Sequence, residues 1–114
     1  MPLYAERARA RAEVLEAAAR AFAAAAHRHP DVLAVYAFGS VGEHRVGPRS
    51  DLDLLVVRET DLLGPERGAD LVGEAALGVE LDLIVVTPDE YRERLPATSF
   101  GRTILASARR LDAA

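Results

Sequence analysis

Three short apolar runs, Val32-Leu33-Ala34-Val35-Tyr36-Ala37, Leu54-Leu55-Val56-Val57 and Leu81-Asp82-Leu83-Ile84-Val85-Val86, stand between stretches where apolar residues recur every three or four positions. The runs read as strands and the longer period as amphipathic helix. From about Tyr4 to Arg28 the chain is rich in Ala, Arg, Glu and Leu, with Val14, Ala18, Phe22 and Ala25 or Ala26 at helical spacing. This predicts one long helix ended by Pro30. A strand over 33–38 follows, then a short helix over 40–46 with Ser40 as its N-cap, and a turn at Gly47-Pro48-Arg49-Ser50. A strand is expected over 51–58, a helix over 66–77 with Gly78 just past its end, and a strand over 79–86. Thr87-Pro88-Asp89-Glu90 has the capping-box pattern and starts a helix that stops near Pro96. Phe100, Ile104, Leu105, Ala108 and Leu111 predict a last helix over 99–111. Helices thus alternate with strands, and the expected class is α/β (α+β): a small mixed sheet flanked by helices. Residues 1–114 are expected to form one domain.

Composition narrows the chemistry. There is no cysteine, which excludes disulfides, thiolate metal sites and a cysteine nucleophile. Lysine is also absent, so all 14 basic residues are Arg. A Walker-type phosphate loop, a kinase lysine and Schiff-base chemistry are excluded with it. The net charge of −4 argues against direct nucleic-acid binding, which calls for a basic stripe. No apolar stretch approaches a membrane span, and Met1 to Arg7 lacks the layout of a signal peptide, so a cytoplasmic location is expected.

The candidate chemistry lies in the acids. Asp51 and Asp53 flank Leu52, and in a strand such alternate residues share a face, about 7 Å apart. Glu80 and Asp82 repeat the arrangement in the matching third run. Laid side by side, the two runs bring Asp82 next to Asp53. Asp is disfavoured in strands, and clustered carboxylates repel unless a cation compensates. Oxygen donors of this kind suit magnesium. Gly39-Ser40 sits where the first strand ends, as a glycine that admits a phosphate close to the backbone and a serine with a hydroxyl to offer. Alone, Gly-Ser is an ordinary turn and Asp-x-Asp an ordinary solvated strand end; their conjunction with a third acid favours a nucleotide site. Arg45 and Arg49 are either phosphate contacts or solvated loop residues, and His44 reads as a surface turn residue. His27 and His29, at a helix end, read as structural. The first helix, with Arg7, Arg9 and Arg11, packs either on this domain or on a partner.

The pattern of Gly39, Ser40, ten intervening residues, Asp51, Asp53 and later Asp82 resembles the minimal nucleotidyltransferases of the DNA polymerase β-like superfamily. The resemblance covers about residues 30–110. It implies that Asp51, Asp53 and Asp82 are the catalytic metal ligands, that Gly39 and Ser40 bind the nucleotide, and that magnesium is the cofactor with ATP as substrate. It further implies the antitoxin half of a toxin–antitoxin pair, transferring AMP to a Tyr hydroxyl of a small helical partner of the HEPN type. Many relatives carry Ala-Arg-Gly shortly after Gly-Ser, where this chain has Gly42-Glu43-His44. That difference motivates the alternative, a protein of the same fold that neutralises its partner by binding alone.

Overall fold

The computed structural model describes residues 2–74 and 78–111. Its architecture is mixed α/β: a four-stranded sheet in the order β3-β2-β1-β4, with helices packed on it. Helix α1 spans Pro2–Ala26, and a tight turn at His27–Asp31 leads into β1, Val32–Phe38. A one-turn helix α2, Gly39–Gly42, follows directly, and a loop reaches β2, Leu52–Arg58. Next come a 3₁₀ turn at Gly64–Arg67, helix α3 at Ala69–Glu74, and β3 at Leu81–Val86. A wide helical segment at Glu90–Arg94, a 3₁₀ turn at Leu95–Ala97, α4 at Ser99–Ser107 and the short β4 at Arg109–Arg110 complete the order.

Strand β1 is antiparallel to both β2 and β4, while β2 and β3 run parallel. Side chains alternate across this sheet and divide the core in two. Val35, Ala37, Leu52, Leu54 and Val56 face α1 and meet Leu15, Ala19, Phe22 and Ala26. Ala34, Leu55, Val57 and Val86 face the other way and meet Ile104 of α4, with Tyr36, Ile84, Tyr91 and Leu95 around them. Tyr36 and Tyr91 stack with ring centroids 5.7 Å apart. Among the described residues, no helix is long and apolar enough to cross a membrane.

Several expectations need correction. The buried stripe of α1 runs through Leu15 rather than Val14, which is half exposed, because Leu15 shares the face of Ala19, Phe22 and Ala26. The helix ends at Ala26, before Pro30, where Arg28 and His29 amides turn back to the carbonyls of Ala25 and Ala26. Ser40 is not an N-cap. Phe38 occupies the cap position with no side-chain cap bond, and α2 stops at Gly42 instead of reaching 46. His44 then adopts φ 56°, a left-handed conformation incompatible with continuing the helix. The helix expected over 66–77 is divided into the 3₁₀ turn and α3, and its expected end at 75–77 lies outside the described residues.

The terminal helix ends at Ser107 rather than Leu111. Arg109 and Arg110 pair instead with Ala37 and Tyr36 of β1, and the Leu111 amide donates to the Val35 carbonyl. A free sheet edge outcompetes the helical period here. The capping box at Thr87 is formed as expected: the Thr87 amide donates to Glu90 Oε1 at 2.9 Å and the Glu90 amide to Thr87 Oγ1 at 3.2 Å.

Candidate functional site

The parallel register of β2 and β3 pairs Leu52 with Leu81, Asp53 with Asp82 and Leu54 with Leu83. On the other side of β2, Asp53 is paired with Phe38, the last residue of β1. Phe38, Asp53 and Asp82 therefore form one row across the sheet, on the face that carries Leu55 and Ile84 two residues further along. The row closes the end of the apolar layer beneath α4. Leu52 and Leu54 are fully buried on the opposite face, and a shift of one residue would carry the Asp53 carboxylate into that apolar layer. The hydrophobic pattern thus fixes which way the two acids project.

Asp51 and Glu80 lie just outside the strands, which begin one residue later than expected at β2 and two later at β3. The reason is local. The Ser50 amide turns back to the Gly47 carbonyl at 3.1 Å, while the Gly47 amide donates to Ser50 Oγ at 2.8 Å, so the loop closes only at Ser50. The Leu52 amide then reaches the Glu80 carbonyl at 3.3 Å. Asp51, Glu80, Leu81 and Asp82 line a shallow hollow of about 220 Å³.

Asp53 is the half-buried member of the group, and Asp51 and Asp82 are exposed. Burial, followed by the charge of Asp82, a hydrogen bond shared with it, and the charge of Asp51, pushes the Asp53 carboxyl above its ordinary range. Each cause disfavours a second negative charge. Among the described residues, neither Asp51, Asp53 nor Asp82 forms an ion pair with an Arg or a His. Arg45 and Arg49 are exposed, as is His44.

Gly39 completes the arrangement. Its φ of +63° is the left-handed region that glycine reaches without strain, and a Cβ built on it would collide with Asp53 Oδ2. The Gly39 backbone therefore stands directly against the Asp53 carboxylate. The next hydroxyl, of Ser40, is half buried and makes no hydrogen bond among the described residues.

The donor set is all oxygen, which suits a hard cation. No three His, Cys, Asp or Glu side chains among the described residues are disposed to hold one ion as a cage. Magnesium does not require one. It is characteristically held by one or two carboxylates, with substrate phosphates and water completing its shell. The adjacent Asp53 and Asp82, with Asp51 beside them, fit that mode of binding.

Two contributors to this region gave no signal in the sequence. Ser107 and Arg109 lie where a helical period runs to Leu111, yet Ser107 Oγ accepts from the Gly39 amide at 2.9 Å, and Arg109 Nη2 donates to the Val41 carbonyl at 3.1 Å. Comparison with family models, with curated proteins and with solved structures finds no match for this chain.

Proposed function

We propose that this chain is a magnesium-dependent nucleotidyltransferase of the DNA polymerase β-like kind, transferring AMP from ATP to a hydroxyl. The observation that carries the proposal is the row of Asp53 and Asp82 in register, closed on one side by Gly39 of the Gly-Ser turn. Three features support it further. The acids lack ion-paired cations among the described residues, Asp53 is strained toward the neutral form, and Ser40 has an uncommitted hydroxyl.

In the proposed reaction the acceptor oxygen forms a bond to the α-phosphorus and the bond from that phosphorus to the bridging oxygen breaks. AMP joins the acceptor, pyrophosphate leaves, and the hydroxyl proton passes to a carboxylate of the acid group. Magnesium, when bound, supplies charge neutralisation and polarises the phosphate. The protein's own part is to set Asp51, Asp53 and Asp82 on one side of the ligand and Ser40 on another. Gly39 permits the close approach that a side chain would block.

The acceptor follows from the resemblance rather than from the geometry: a Tyr hydroxyl of a HEPN-type helical protein, as the target of an antitoxin. A second reading, neutralisation of that partner by binding alone, is favoured by the exposed Glu43 beside the turn. Incubating the protein with the helical partner, magnesium and α-labelled ATP separates the two. Label on the partner that disappears with Asp53→Asn is expected. Full neutralisation by that variant, with no label from either protein, would overturn the transferase and leave the binding role.

A further inference from the structure

The one-turn helix α2 is gripped by residues from the far end of the chain. The Gly39 amide donates to Ser107 Oγ, and the Ser107 hydroxyl has one proton of its own to give, to the carbonyl of Ile104 at 3.2 Å or of Thr103 at 3.4 Å. The hydroxyl thus joins the last turn of α4 to the first residue of α2. At Gly42 a Cβ would collide with the Ser107 carbonyl oxygen and come within 2.7 Å of the Ala37 carbonyl oxygen, so only glycine allows α2 to sit this close.

A second tie lies beside the first. Arg109 Nη2 donates to the Val41 carbonyl and, at 2.7 Å, to Glu16 Oε1, with Nη1 reaching Glu16 Oε2 at 3.3 Å. Gly39 and Val41 are therefore tied through their backbones, and Gly42 is fixed by contact. Ser40 carries the one polar side chain of α2, and its hydroxyl has no partner among the described residues.

We propose that Ser107 is a positioning residue for the nucleotide site, acting through the Gly39 amide. It holds the turn against Asp53 and keeps the Gly39 amide committed, so that a triphosphate meets the Ser40 hydroxyl rather than a mobile turn. This rests on the nucleotidyltransferase reading, and its test separates the two. The chemistry is that of preorganisation: a turn already in place need not be ordered when the ligand binds.

The experiment uses ¹⁵N-labelled full chain, with hydrogen exchange at the Gly39 amide and calorimetric titration of ATP with magnesium. In Ser107→Ala, exchange at Gly39 should quicken and ATP affinity fall, each by about tenfold, the equivalent of one lost hydrogen bond. Ser107→Thr, which keeps the hydroxyl, should restore both. In the unaltered protein, ATP with magnesium should shift the Ser40 resonance and leave Gly39 exchange unchanged, a readout that needs no variant. Unchanged affinity in Ser107→Ala, or equal weakness in Ser107→Thr, would overturn the positioning role. If the unaltered protein binds no ATP while Gly39 still responds to Ser107→Ala, the nucleotidyltransferase reading falls and takes the positioning role with it, leaving only the structural tie.

Discussion

At one end of β2 the buried Arg58 is held between Asp31 and Asp70, while at the other Asp53 stands beside Asp82 and Asp51 with no ion-paired cation among the described residues. Arg58 Nε donates to Asp31 at 3.0 Å, its two terminal nitrogens grip Asp70 at 2.8 and 2.9 Å, and Nη1 also reaches the Arg67 carbonyl at 2.9 Å. Asp70 is accordingly held down to about 2, chiefly by the hydrogen bonds from Arg58. Asp53 is displaced the opposite way. The two sets of acids gather at opposite ends of one strand, β2. One set is ion-paired with Arg58, and among the described residues the other carries a charge that no Arg or His answers, which is the condition for a ligand to contribute binding energy there.

The largest effect expected from breaking this contrast is at the satisfied end. Arg58→Met removes the guanidinium shared by Asp31 and Asp70, leaving Asp70 only His29, and should cost about 3 kcal/mol, the low end for a disrupted buried pair because both acids are partly exposed. Urea denaturation would measure it; a loss below about 0.5 kcal/mol would show that the pair is only a surface decoration. Next is Gly39→Ala. It combines a left-handed backbone with a collision against Asp53 and should cost about 2 kcal/mol. A variant as stable as the parent would remove the close contact between turn and acid.

Acid titration sharpens the comparison through its sign. A carboxyl held low in the folded state contributes stability that is present above its ordinary value and is lost as pH falls toward the folded value. For Asp70 this window runs from its ordinary 3.8 down to about 2. Stability should therefore drop across that window, and the drop should be shallower in Arg58→Met. Asp53 has the reverse sign: its raised folded value destabilises the fold above the ordinary range, and the penalty is relieved on acidification. Asp53→Asn should consequently stabilise the metal-free protein at neutral pH by about 0.5 kcal/mol, as for a relieved like-charge pair, and the gain should vanish in acid. Thermal melts at pH 7 and pH 3 in the presence of a chelator check both halves.

The sequence made one half of this contrast readable. Strands β2 and β3 are near copies, so pairing them in register places Asp82 beside Asp53, and burial of Leu52 and Leu54 locks that register. The satisfied end could not be read in advance. Arg58 closes an apolar run like any strand-end charge, and its partners lie 27 and 12 residues away, in a turn and in α3. The grip on α2 was hidden for a different reason. Ala108 and Leu111 keep a helical period with Ile104, and only the open edge of β1 draws Arg109 and Arg110 out of it. The N-cap assigned to Ser40 failed because Gly39, beyond the reach of propensity arguments, can start the turn itself at positive φ.

The central claim is that the acids at the start of β2 are left uncompensated in order to hold a metal–nucleotide complex. Calorimetric titration of ATP into the protein, with magnesium and then with a chelator, tests it most directly, using Asp53→Asn as the comparison. Binding that requires magnesium and is at least about tenfold weaker in the variant is predicted. Equal binding in chelator, or undiminished binding by Asp53→Asn, would contradict it.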